Sequence, residues 1–180
     1  MIEALPTYMN QQQQSNQLNA TLMFFLKTGR LGPLKCGLTR EEVRRQLGDP
    51  QSYDGKESAA LNWRYDPLIV YFEEHQVIGY GVAFHAGHPL PTCIDGLANP
   101  AYFEMPMREL LSQLTSAGVA FERCNNGEPI RTVGGVLIFS NTEDILSNMV
   151  FTCPGEHHMR KFDASYRKSS TAASSTISKS

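Results

Sequence analysis

The chain has 180 residues, 41% of them hydrophobic and 19% charged, with a net charge of −2. That suits one globular domain or two small fused units and excludes a disordered polyelectrolyte. From Glu156 onward Arg160, Lys161, Arg167, Lys168 and Lys179 face only Glu156 and Asp163. This tail is therefore +3 and residues 1–155 carry −5, without the clustered basic footprint of a nucleic-acid binder.

The N-terminus has no basic n-region, and "TLMFFL" is too short for the apolar core of a signal peptide. No apolar run approaches the roughly 20 residues that span a bilayer. The expectation is a cytoplasmic protein that binds neither membrane nor nucleic acid. Cys36, Cys93, Cys124 and Cys153 are widely spaced with no C-x-x-C pair, so they read as small apolar side chains in a reducing compartment.

Residues 1–15, with "QQQQ" at 11–14, read as a loose leader. A helix over Asn16–Lys27 follows, with Leu18, Leu22, Phe25 and Leu26 on one face and Gly29 at its stop. In "GLTREEVRRQLGDP" (37–50) both ends of a short helix are marked. Thr39 caps it, Glu42 completes a capping box, and Leu38 and Val43 form the staple. Val43 and Leu47 make a narrow apolar stripe, Glu41 and Arg45 pair on the wet side, Gly48 takes a left-handed terminus and Pro50 stops the helix.

Three strands come next: "ALNWRY" (60–65), "LIVYFEE" (68–74) and "VIGYGVAF" (77–84), with His75–Gln76 as a two-residue connection. Trp63 reads as core. Gly79 and Gly81 leave a flat, nearly side-chain-free face that admits a backbone or a partner.

The same order recurs 67 residues later. "EVRRQL" (42–47) lies over "ELLSQL" (109–114) and "LIVYF" (68–72) over "GVLIF" (135–139), while Ile78, Val82 and Phe84 fall on Ile145, Met149 and Phe151. This is a signal of internal duplication. The second helix has Pro106 near its first turn, Gly118 past its end, and Met107, Leu110, Leu111 and Leu114 as its stripe. The alignment puts Val70, Phe72, Leu137 and Phe139 on the face toward the helices, and Ile69, Tyr71 and Glu73 on the outer one.

The fold expected is α+β. Residues 16–155 form one globular domain of two tandem helix-plus-antiparallel-meander units (about 31–84 and 100–152) after an N-terminal helix. The units build one sheet with helices on one face, and residues 156–180 are a basic Ser/Thr-rich disordered tail.

The run "GLTREEVRRQLGDP" and the later "W-x-Y" resemble the helix-then-meander unit of the β-lactamase-inhibitor-protein-like superfamily. That grouping includes secreted tandem-repeat enzyme inhibitors and small outer-membrane assembly lipoproteins. The resemblance covers about residues 31–84 and implies tandem units whose sheets build one concave binding face, with no catalytic residue. The chain departs from the inhibitors in lacking an export signal and their paired cysteines, and from the lipoproteins in that Cys36 has no lipobox. By analogy a cytoplasmic bacterial relative fits an immunity-type protein that masks a toxin enzyme.

Chemical motifs are weak. His85 and His88 are a bare pair, and "CPGEHH" (153–158) groups Cys153, Glu156, His157 and His158 only by adjacency. A zinc site from Cys93, Cys124, Cys153 and His157 has no supporting spacing. "VGGV" (133–136) reads as a turn between strands rather than a phosphate loop, and Glu73–Glu74 as edge protection. No catalytic residue, cofactor or metal ligand is therefore assigned. The expected function is non-enzymatic binding of another protein with a basic surface, of the immunity or inhibitor kind, through Tyr53, Asp66, Ile69, Tyr71 and Glu73. A small hydrolase using His85, His88 or Cys153 is the first alternative, and a structural or assembly module the second.

Overall fold

The computed structural model describes residues 19–54, 56, 61–65, 67–84, 94, 104–124 and 129–154. The expected leader (1–15) and tail (156–180) lie outside them. The elements in chain order are α1 (Ala20–Thr28), α2 (Arg40–Leu47), β1 (Ser52–Tyr53), β2 (Asn62–Tyr65), β3 (Leu68–Glu73), β4 (Gln76–Ala83), α3 (Met107–Ser116), β5 (Phe121–Arg123), β6 (Ile130–Thr132), β7 (Val136–Ser140) and β8 (Leu146–Thr152). The strands form one eight-stranded sheet in the order β1-β2-β3-β4-β8-β7-β6-β5. Every neighbouring pair is antiparallel. The protein is mixed α+β.

Helix α1 starts at Asn19, whose side chain accepts from the Leu22 amide, and ends at Gly29 with φ +70°. Leu22, Phe25 and Leu26 are fully buried; the expected Leu18 lies outside the described residues. At α2 the capping box is complete. The Thr39 hydroxyl accepts from the Glu42 amide at 3.3 Å, and the Thr39 amide donates to Glu42 Oε2 at 2.7 Å. Those bonds from Thr39, led by the backbone amide, hold the Glu42 carboxyl below its usual range. Gly48 departs from the expected left-handed cap: its φ of 82° comes with a ψ of −167°. In α3, Pro106 is the N-cap, Met107, Leu110 and Leu114 are buried, and Gly118 follows the end with φ +67°.

The connection between β3 and β4 is Glu74–His75, one residue earlier than expected, because Glu73 pairs with Gln76. Both turn residues have positive φ (48° and 70°), the requirement of a tight turn whose twist matches its strands. The turn between β7 and β8 is longer. There Asn141 donates its amide to the Ile145 carbonyl, its side chain accepts from Glu143 and Ile145, and Asp144 takes φ 59°.

Strand faces follow from the register. Trp63 pairs with Val70, Val70 with Tyr80, Tyr80 with Phe151, and Phe151 with Val136. This row is on the core side: Trp63 is buried, as expected, and Val136 and Ile138 are fully buried. Leu137 and Phe139, expected inward, instead pair with Val150 and Asn148 on the opposite face. An apolar run reads equally well in either parity, and a shift of one residue moves every side chain of a strand to the other face.

Phe25 of α1 and Phe151 of β8 flank Tyr80, with ring centroids 6.2 and 5.4 Å away. The buried Tyr80 hydroxyl donates to the Gly29 carbonyl at 2.8 Å, fastening the end of α1 to the middle of the sheet. The "VGGV" turn serves the same joint. A Cβ on Gly134 would stand 2.6–2.7 Å from Thr28 N, Gly29 N and Leu26 O, so only glycine lets this turn close on the helix.

The cysteines depart furthest from expectation. Cys36 and Cys153, 117 residues apart, form a disulfide with a Cα–Cα distance of 5.7 Å. Cys36 is exposed, so it is not a buried apolar side chain. Cys124 is free and half-buried.

Two outcomes are expected. Tyr80→Phe should lower stability by about 1 kcal/mol in denaturant titration, the worth of a typical buried hydrogen bond. Burial pushes the Tyr80 hydroxyl from 10.0 up to about 12. A raised folded value means its contribution is complete below pH 10 and lost as pH rises toward 12. Tyr80→Phe should flatten that alkaline decline. Thr39→Ala should cost about 1 kcal/mol through the lost amide partner. The Glu42 half of the box contributes above the usual carboxylate range and fades as pH falls through its depressed value, so acid titration should affect the variant less.

Candidate interaction surface

The alternation of β3 decides where its side chains go. Leu68, Val70 and Phe72 are buried, and Ile69, Tyr71 and Glu73 are half-buried between them. The latter three share the face opposite the core, as the sequence predicts. The register extends this face into a transverse row: Arg64, Ile69, Gly81, Val150, Leu137, Arg131 and Glu122 are successive cross-strand neighbours. A second row runs Asn62, Tyr71, Gly79 and Thr152.

Gly79 and Gly81 are there for the adjoining strand. A Cβ on Gly81 would lie 2.6 Å from the Met149 carbonyl oxygen, and one on Gly79 would lie 2.7 Å from that of Phe151. Any side chain would push β8 away. The flat face is therefore a consequence of close β4–β8 approach. Its centre is withdrawn from solvent, with Val150 4% and Leu137 9% exposed. Its accessible parts lie at the two ends, toward β2 and β3 and toward β5 and β6.

The expected contact set does not assemble in full. Tyr53 pairs with Trp63 and so belongs to the core-side parity, where it stands 41% exposed at the sheet edge. Asp66 lies outside the described residues. Ile69, Tyr71 and Glu73 remain together. Nor are the acids among the described residues gathered here. Asp49 pairs with Arg44 at 2.8 Å, and Asp54 accepts from the Asn62 side chain. Glu122 faces Arg131 at 3.5 Å. The strand positions on this face balance Glu73 and Glu122 against Arg64 and Arg131. Glu73 is also no edge guard, since β3 lies inside the sheet between β2 and β4.

The core side of the first half holds a feature the sequence reading missed. Arg40 and Arg44, one helical turn apart on α2, lie over aromatic rings of the sheet. The Arg40 guanidinium carbon is 4.8 Å from the Phe72 ring centroid and 5.6 Å from that of Trp63, and Arg44 is 5.1 Å from Trp63. Burial lowers the pKa of Arg40. The i, i+4 spacing of the two arginines was visible, but nothing local said that they would lie over rings.

Cys153 is bridged and carries no thiol, which removes it as a nucleophile or zinc ligand in this state. His85, His88, Cys93, Glu156, His157 and His158 lie outside the described residues. Among the described residues no three His, Cys, Asp or Glu side chains are grouped to hold a metal ion, and no helix is long and apolar enough to cross a membrane. Comparison with protein-family models, curated proteins and solved structures finds no match to this chain.

Proposed function

We propose that the chain is a non-enzymatic protein-binding module built from a tandem duplication, with its helices on one sheet face and its partner site on the other. The duplication reading rests on the register. Trp63, Val70 and Tyr80 make one core row, and Ile130, Ile138 and Met149 make another. Corresponding residues are 67, 68 and 69 positions apart, so each of the two turns is one residue longer in the second half. Both hairpins also carry a register shift at the matching place, after Tyr71 and after Phe139. Thr39 bridges Gln76 as Pro106 bridges Ile145, which ties each helix entry to the same point of its hairpin. On this reading Phe25, Arg40 with Arg44, and the α3 leucines all serve one core-side layer.

The observation that carries the binding site is the half-buried trio Ile69, Tyr71 and Glu73 on the opposite face, beside the side-chain-free Gly79. An aromatic standing next to a flat strip is the local form of an interface anchor. The charge balance of this face favours a partner of mixed charge over a strongly basic one. The resemblance to tandem-repeat inhibitors points the same way. The Cys36–Cys153 bridge favours an oxidising compartment over the cytoplasm, because structural disulfides persist there.

The test is a stoichiometric partner co-purified from the native host and titrated against variants. Tyr71→Ala should weaken binding by about 2 kcal/mol or more, as truncating an anchor does. Tyr53→Ala, on the other side of the sheet, should leave affinity unchanged. A Tyr71→Ala protein that loses folding stability but binds normally would remove this face.

A further inference from the structure

We propose that the Cys36–Cys153 disulfide is a redox-sensitive clasp on α2, and that a dithiol reductant releases this helix and uncovers Trp63 and Phe72 while the rest of the molecule stays folded. The proposal concerns the core side of the sheet and is independent of the outer-face binding site. It rests on how unequally the three helices among the described residues are held. Helix α1 buries Leu22, Phe25 and Leu26, and α3 buries Met107, Leu110 and Leu114. Helix α2 is eight residues long and buries only Val43, with Leu47 half-buried. A helix so short has little stability of its own and depends on what fastens it.

Its other attachments among the described residues lie at both ends and along its length. Tyr65 donates to the Gly48 carbonyl at 3.1 Å. At the entry, Gly37 donates to the Val77 carbonyl and Val77 donates to that of Leu38, at 2.9 and 2.8 Å. Along the helix, Arg40 and Arg44 stack on Trp63 and Phe72. Beneath them the Trp63 indole N–H is buried without a hydrogen-bond partner among the described residues. That N–H gains a partner in water when α2 lifts, so the interface favours opening more than a satisfied one would. The disulfide acts at this entry. Cys36 stands three residues before the Thr39 cap. Cys153 follows the end of β8, its amide bonded to the Ile78 carbonyl and its sulfur 3.6 Å from the Val77 carbonyl oxygen. The bond ties the least-buried of the described helices to the centre of the sheet.

The two sulfurs differ in access. Cys36 is exposed and Cys153 buried, so attack comes at Cys36. A thiolate of the dithiol bonds to Cys36 Sγ, the S–S bond breaks, and Cys153 leaves as a thiolate that takes up a proton. The second thiol of the reagent then displaces Cys36 as a thiol and closes the reagent into its own disulfide. Two electrons pass from the dithiol to the protein.

Trp63 is the chain's single tryptophan, so its emission reports on the covered surface directly. Full-length oxidised protein should be treated with dithiothreitol and followed by Trp63 fluorescence and amide hydrogen exchange. The expected result is a red-shifted emission and an about tenfold or greater acceleration of exchange in Arg40–Leu47, with Met107–Ser116 and β8 changed by less than about twofold. Reoxidation should reverse both. Cys36→Ser should show the open behaviour without reductant and ignore its addition. Unchanged Trp63 emission and α2 exchange on reduction would overturn the proposal, as would equal acceleration throughout the chain.

Discussion

The pairing of β4 with β8 is the constraint on which both halves of the molecule depend. Each half contributes four strands, and the two sets meet only there in the sheet order. The approach is close enough that no Cβ fits at Gly79 or Gly81. Directly on this seam Tyr80 pairs with Phe151, their rings meet at a tilt, and Phe25 of α1 packs against Tyr80. Helix α1 precedes both helix-plus-strand segments and rests on the place where they join. Its C-terminus is held from two directions, by the Tyr80 hydroxyl from the first half and by the Gly134 turn from the second.

The same seam shapes the outer face. Because β4 offers glycines where it meets β8, that face has a strip without side chains, and Ile69 and Tyr71 stand beside it. The disulfide adds a covalent link close by, from the entry of α2 to the residue after β8. Structural and functional readings thus meet around Val77–Gly81. A change there reaches the α1 dock, the α2 entry and the proposed partner surface together.

Local features were legible in the sequence where local chemistry sets them. The α2 cap needed only Thr39 and Glu42 three residues apart, and the buried face of α1 needed only the spacing of Leu22, Phe25 and Leu26. Trp63 was recognisable as core by its size. The features that escaped depend on distant partners or on single-residue counts. Leu137 and Phe139 were assigned to the wrong face because an identical apolar run reads equally well in either parity, and turn length decides between them. The Cys36–Cys153 bridge spans 117 residues, a separation with no local signature. Of the candidate surface, the β3 alternation placed Ile69, Tyr71 and Glu73 on one face, as the register has them. Tyr53 needed the register of a two-residue edge strand that the sequence did not mark.

If the β4–β8 seam joins the halves into one cooperative unit, neither half unfolds before the other. The direct measurement is equilibrium denaturant unfolding of the oxidised protein, followed by residue-resolved NMR at Val70 in β3 and Ile138 in β7. Both are fully buried core positions, each one strand removed from the seam and paired with one of its residues, Tyr80 and Met149. The account predicts coincident midpoints and slopes at the two sites. Separate transitions, with one half still native while the other has unfolded, would contradict it.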